Sequence, residues 1–159
     1  MSKLKSLHAT PEAVEQAFYD ALEAGNLDAL MSVWSDDDEI ICIHPGGPRL
    51  VGHPAVRASW REILANGPIT VRPAQQQVMQ GALVSVHSAV ARVLALVQTQ
   101  AQVPGRQAAV QSAQTIAVNI LVTHVFFKGG EGWRMVLHHA SITQQDVEAA
   151  GAPAPNMLH

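Results

Sequence analysis

From residue 11 to residue 24, apolar side chains recur every third or fourth position, at Val14, Ala17, Phe18, Ala21 and Leu22. That spacing predicts an amphipathic helix. Thr10 ahead of Pro11 supplies an N-cap and a proline at the first helical position, and Gly25-Asn26 closes the element. A second helix is expected over 27–34, with Leu27, Leu30, Met31 and Trp34 on one stripe. A third is expected over 53–65, with Val56, Trp60, Ile63 and Leu64 inward and Asn66-Gly67 as its stop. Between them, the apolar run Ile40-Ile41-Cys42-Ile43 predicts a short buried strand that delivers His44 to a break at Pro45-Gly46-Gly47-Pro48.

Beyond residue 69 the pattern changes to strands, expected over 69–80, 84–98, 114–128 and 133–143. The last two flank the Gly-rich link Lys128-Gly-Gly-Glu-Gly132 and form a hairpin. Strict alternation in the final strand puts Trp133, Met135, Leu137 and His139 on one face and Arg134, Val136, His138 and Ala140 on the other. The first set is the more apolar, so His139 is expected inward and His138 outward. Residues 84–95 are apolar on both faces, which suits a sheet covered on both sides and predicts a homodimer through the sheet. The polar segment 99–112 is expected to be a long loop. Residues 1–9 are expected to be a flexible leader, 10–145 a single domain and 146–159 a flexible tail.

A length of 159 residues with 48% hydrophobic content suits one domain with a sizeable core. The formal charge is −3 and the ten Lys and Arg are scattered, so nucleic acid is not an expected partner. The single cysteine, Cys42, cannot form an intramolecular disulfide, and no apolar run is long enough to span a bilayer. A cytoplasmic protein without a membrane partner is expected. The acidic run Asp36-Asp37-Asp38-Glu39 lacks the ligand spacing of a calcium loop and is expected to be a solvated turn.

Three helices interleaved with a short strand, then four long antiparallel strands, describe an α+β fold with helices over one face of a curved sheet. Trp34, Ile41-Cys-Ile-His-Pro-Gly-Gly47, Gly52, Val56, Ser59-Trp-Arg-Glu-Ile63, Thr123-His-Val-Phe126 and Gly132-Trp-Arg-Met-Val-Leu-His-His-Ala-Ser141 carry a resemblance. The chain resembles the nuclear transport factor 2-like superfamily, in its bacterial SnoaL-like branch, from about Pro11 to Thr143. The resemblance implies a cone formed by a strongly bent antiparallel sheet and three N-terminal helices, with a pocket inside. The superfamily hosts isomerases, dehydratases, polyketide cyclases and pure binding modules. The chain departs from its pattern at Leu137 and at His124.

Enzymes of this fold, as the resemblance implies, use an acidic general base. Between Gly67 and Gln145 the only carboxylate is Glu131, in the hairpin link, and the other acids read as solvent-facing. Histidine is then the candidate for acid/base chemistry on the strands. His44, at a strand end, is the candidate base, with His124 and His139 as candidate donors. Tyr19, Trp34 and Trp60 are candidate ligand-binding residues, each with core packing as the alternative. No metal or cofactor is expected, since no two of His44, His124 and His139 have a local ligand spacing, and Cys42 is expected to be an inert buried thiol. The lack of strand carboxylates favours a domain that binds a small hydrophobic molecule in an apolar pocket. Two alternatives stand beside it: an isomerase, dehydratase or cyclase acting on a small hydrophobic carbonyl compound, and an association module.

Overall fold

The structure is a computed structural model that describes residues 7–101 and 110–144, the side chains of 96–113 apart. Its elements in order are α1 (Pro11–Ala24), α2 (Leu27–Ser32), β1 (Ile41–Ile43), β2 (Arg49–Val51), α3 (His53–Leu64), β3 (Ile69–Gln80), β4 (Val84–Ala101), β5 (Val110–Gly129) and β6 (Gly132–Ile142). The expected tail from 146 onward and the middle of the expected loop, 102–109, lie outside the described residues.

The local signals act as their chemistry dictates. The Thr10 hydroxyl accepts from the Ala13 amide at 3.1 Å, and Asn26 caps α2 by accepting from the Ala29 amide at 3.0 Å. Gly25 takes a left-handed φ of 65° and returns its N–H to the end of α1, a conformation that costs glycine nothing. In the acidic turn, Ser35 and Asp37 side chains accept from the backbone of Asp37 and Glu39.

Six strands form one sheet in the order β2-β1-β6-β5-β4-β3. Strands β3 to β6 pair antiparallel in sequence, while β1 joins β6 in parallel, so the sheet is mixed. Helices α1 and α3 cover its concave face, where Phe18, Leu30, Val56 and Trp60 pack against Val71, Ala91, Val122, Phe126 and Met135. Burying each of the large side chains contributes roughly 1.5–3 kcal/mol.

Several elements differ from expectation. The second helix stops at Ser32 because Trp34 leaves it to form a parallel bridge with Met135, with the Ser35 amide donating to the Met135 carbonyl at 2.8 Å. Arg49–Val51 is a strand, held antiparallel to β1, where a lead-in to the third helix was expected. Strands β4 and β5 run on to Ala101 and from Val110, taking in both ends of the expected loop. Of the expected leader, His8 is buried: its carbonyl accepts from the Trp133 amide at 2.8 Å and its Nδ1 donates to the Trp133 carbonyl at 3.1 Å.

The largest correction concerns β6. Phe126 faces Met135, but Val125 faces Leu137, so Val136 is an extra, unpaired residue. Such a bulge breaks strict alternation. Val136 and Leu137 both line one outer groove, and beyond them the parity is reversed. His138 is therefore buried and His139 exposed, the opposite of the expected arrangement.

Candidate active site

The bulge also sets which residues meet across the sheet. Without it, Leu137 would face His124; with it, His138 does. On the other side His124 faces His87 of β4. Three imidazoles thus lie in one row across β4, β5 and β6, all on the concave face and all buried.

Helix α1 sets a carboxylate against this row. Glu15 lies on the helix's inner stripe with Phe18 and Leu22, and is itself buried. Nδ1 of His124 is 2.7 Å from Glu15 Oε2, and Nδ1 of His87 is 3.2 Å from Glu15 Oε1. Burial alone would raise the Glu15 pKa, but the hydrogen bonds and charges of His124 and His87 outweigh it and hold the carboxyl at about 2. Glu15 is ionised and can only accept.

With a single proton on the His124 ring, Nδ1–H donates to Glu15, Nε2 accepts, and His138 donates Nδ1–H to it across 2.8 Å. Nε2 of His138 is left for a molecule beside it. Burial, and then the neighbouring His124, His44 and His139, hold the His138 pKa well below the ordinary histidine value, so its ring rests neutral. Arranged this way, Glu15–His124–His138 is a carboxylate-backed imidazole pair able to take up a proton at one end and spread the charge toward Glu15.

His138 also forms part of the wall of a cavity of about 220 Å³, nearly all apolar, between α1, α3 and the sheet. Tyr19, His44, Trp60, Val93 and Ile120 line it as well. The Tyr19 hydroxyl is buried with no hydrogen-bond partner among the described residues, and burial followed by the Glu15 charge pushes its pKa far up, so it stays a donor. His44 Nε2 lies 3.0 Å from Ser59 Oγ, which itself donates to the Val56 carbonyl at 2.8 Å; the hydroxyl therefore accepts from His44. His44 stands edge-on to Trp60, with ring centroids 4.6 Å apart, and burial lowers its pKa.

Of the residues singled out from sequence, Tyr19, His44 and Trp60 meet at this cavity, and His124 stands behind its wall. Trp34 is in the core away from the cavity, and His139 is on the outer face. Cys42 is a buried free thiol whose pKa burial pushes up to about 12. Sequence reasoning counts His87 and His138 among the strand histidines open to acid/base chemistry but does not place them in the site, and it reads Glu15 as solvent-facing. A signal for Glu15 was present: it shares the stripe of Phe18 and Leu22, three and seven residues on, so an acid stood among apolar inward positions. The pairing of the histidines had no local signal, because it depends on two hairpin registers and a bulge.

The SnoaL-like domain model matches residues 12–145 of the chain. Among solved structures, one from Thiobacillus denitrificans, named for the calcium/calmodulin-dependent protein kinase type II association domain, is 34% identical, with 86% of this chain and 97% of that one covered and a TM-score of 0.65. A Streptomyces avermitilis protein, named as a dehydratase of the nuclear transport factor 2-like family, is 24% identical over 84% of this chain and 94% of its own, with a TM-score of 0.68. A nuclear transport factor 2-like superfamily protein from Salmonella enterica covers 96% of this chain and 98% of its own at 15% identity, with a TM-score of 0.67. No curated protein matches the chain. Among the described residues, no helix is long and apolar enough to cross a membrane. The α+β fold, shared with nuclear transport factor 2-like proteins, and the match over most of its length lead to one conclusion: this chain belongs to the SnoaL-like domain family.

Proposed function

We propose that the cavity binds a small hydrophobic carbonyl compound and that His138 moves a proton on it, as general base and then acid, in an isomerase- or dehydratase-type reaction. The observation that carries this reading is the hydrogen-bonded run from Glu15 through His124 to His138, which ends at the wall of an apolar cavity. Here the carboxylate offsets the cost of charging a ring in an apolar site. Tyr19 supplies the complementary part, a buried O–H without a partner among the described residues, suited to a carbonyl oxygen that gains charge as the neighbouring C–H loses its proton. His44, tied to Ser59, shapes the same wall.

The test is deuterium uptake from D₂O into the α-positions of a panel of small cyclic ketones, followed by proton NMR. The wild type is expected to accelerate uptake for at least one ketone, and His138→Phe to lose about 10²- to 10⁴-fold of that rate. No acceleration over an imidazole buffer for any ketone, with no ligand-detected binding, would sink the reading.

A second reading concerns assembly. The outer face of β4 and β5 carries the apolar cross-strand pairs Val84–Phe127, Val86–Val125 and Val90–Leu121, with Phe127 50% exposed. An apolar face of this kind marks an association surface. The 34%-identical relative is named for an association domain. The face is read as a homodimer interface, which leaves the cavity on the concave side free to act.

A further inference from the structure

An apolar cavity wall raises the question of where a proton taken up by His138 goes. The histidine row does not end at His124. On the far side of Glu15, His87 is 4% exposed and donates Nδ1–H to Glu15 Oε1, while its Nε2 is buried with no hydrogen-bond partner among the described residues. The nearest acidic oxygen to that nitrogen is Oε1 of Glu12, at 3.7 Å, and the Glu12 side chain is 61% exposed. Glu12 and Glu15 stand one helical turn apart on α1 and bracket His87, with Gln76 of β3 reaching Glu15 Oε1 at 3.5 Å.

We propose that Glu12 and His87 form the outer half of a proton conduit that links His138 to solvent through Glu15 and His124. The inference rests on the proton-transfer reading of His138 and adds its route to water.

The steps balance. A proton held on Glu12 passes to His87 Nε2; the doubly protonated ring gives its Nδ1 proton to Glu15 Oε1; Glu12 is left as a carboxylate and His87 as the other neutral tautomer. Outward, His138 gives Nδ1–H to His124 Nε2 and His124 gives its Nδ1–H to Glu15 Oε2; because His87 Nδ1 already holds a proton, its ring turns to set the free nitrogen against Glu15, takes the proton there and gives its other N–H to the Glu12 carboxylate, which releases it to water. The spacings are 2.8 Å from His138 to His124, 2.7 Å from His124 to Glu15 and 3.2 Å from Glu15 to His87, each within hydrogen-bond reach. The 3.7 Å step is one rotation of an exposed side chain, or one water, from closing. A surface carboxylate at the mouth and a buried orphan nitrogen behind it are what such a route requires. A purely structural role for His87 is met by its bond to Glu15 alone and leaves Nε2 unexplained.

The test needs no substrate. In protein labelled with ¹⁵N-histidine, the exchange of the His124 and His138 ring N–H protons with water is measured by NMR in the wild type, in Glu12→Gln and in His87→Leu. Both substitutions are expected to slow that exchange by at least tenfold, with the His124 and His138 tautomers unchanged and backbone amide protection on β5 and β6 unaltered. Unchanged exchange in Glu12→Gln and in His87→Leu overturns the conduit. If His87→Leu does not fold, Glu12→Gln and Glu12→Ala decide alone, since Glu12 is a surface residue. Because the readout is the protein's own protons, the conduit can fail while ketone deuteration succeeds, and the reverse.

Discussion

Nδ1 of His138 lies 2.8 Å from Nε2 of His124, and the two residues are directly opposed on β6 and β5. The pair is oriented by a single ionised group, Glu15, so the three should act as a unit. Removing His124 leaves a buried carboxylate short of its strongest donor, which typically costs about 3–5 kcal/mol. His124→Leu is expected to destabilise in that range by urea unfolding, and Glu15→Leu by a comparable amount. The double variant should cost at least 1 kcal/mol less than the sum. Additive single effects would show that the contact carries no coupling.

The acid side of the stability profile should report Glu15. Its folded pKa of about 2 lies below the ordinary value of 4.5, so the unfolded chain binds the proton first as pH falls. The contribution is therefore full above about pH 4.5 and is lost as pH falls toward 2. Urea midpoints of the wild type and Glu15→Gln should converge through that window; a constant gap down to the lower end would contradict the assignment.

His138 and His44 give a separate signature near neutrality. Their folded pKa values are lowered from 6.5, so the unfolded rings take up protons that the folded ones refuse. Stability is then lost as pH falls below 6.5, with a slope of at most about 1.4 kcal/mol per pH unit for each ring. The slope between pH values on either side of 6.5 should be smaller in His138→Phe than in the wild type. Equal slopes would mean that the ring ionises freely inside the fold.

Gly132 should not accept a side chain. Its φ of 100° is strained for any other residue, and an added Cβ would collide with the His8 carbonyl. Gly132→Ala is expected to lower stability by about 1–3 kcal/mol and to release the His8 ring, visible as a histidine shift change in NMR. A variant as stable as the wild type would mean that this approach is easily relaxed.

Phe127→Asp places a charge at the most exposed of the outer apolar pairs, Val84–Phe127. If that face joins two copies, small-angle scattering at micromolar concentration should give the mass of a dimer for the wild type and of a monomer for the variant, with the helical content unchanged. A monomeric wild type would remove the association reading and leave the cavity untouched.

Elements whose signals are local were legible from sequence. Thr10, Pro11 and Gly25 bound α1, and the alternation of β-branched residues gave β3 to β6 to within a few residues, except at the ends of β4 and β5. Glu15 was misread because acids on a first helix usually face water, and only its place on the stripe of Phe18 and Leu22 argued otherwise. His138 and His139 were exchanged because alternation holds only while pairing is regular, and nothing in Met135-Val136-Leu137 announces an extra residue. The apposition of His87, His124 and His138 belongs to the register of three strands, a non-local quantity that no single stretch encodes.

The unpaired position at Val136 has a meaning for how such chains diverge. Deleting that residue would leave Met135, Leu137 and His138 opposite their present partners, so a codon gained or lost there need not disturb the imidazole row. An insertion or deletion just beyond Leu137 would instead present a different side chain to Tyr19 and Trp60. Relatives aligned by their letters alone can therefore place His139 in the column of a residue that does the work of His138, and homology between their pockets should be judged by which residue stands across from His124.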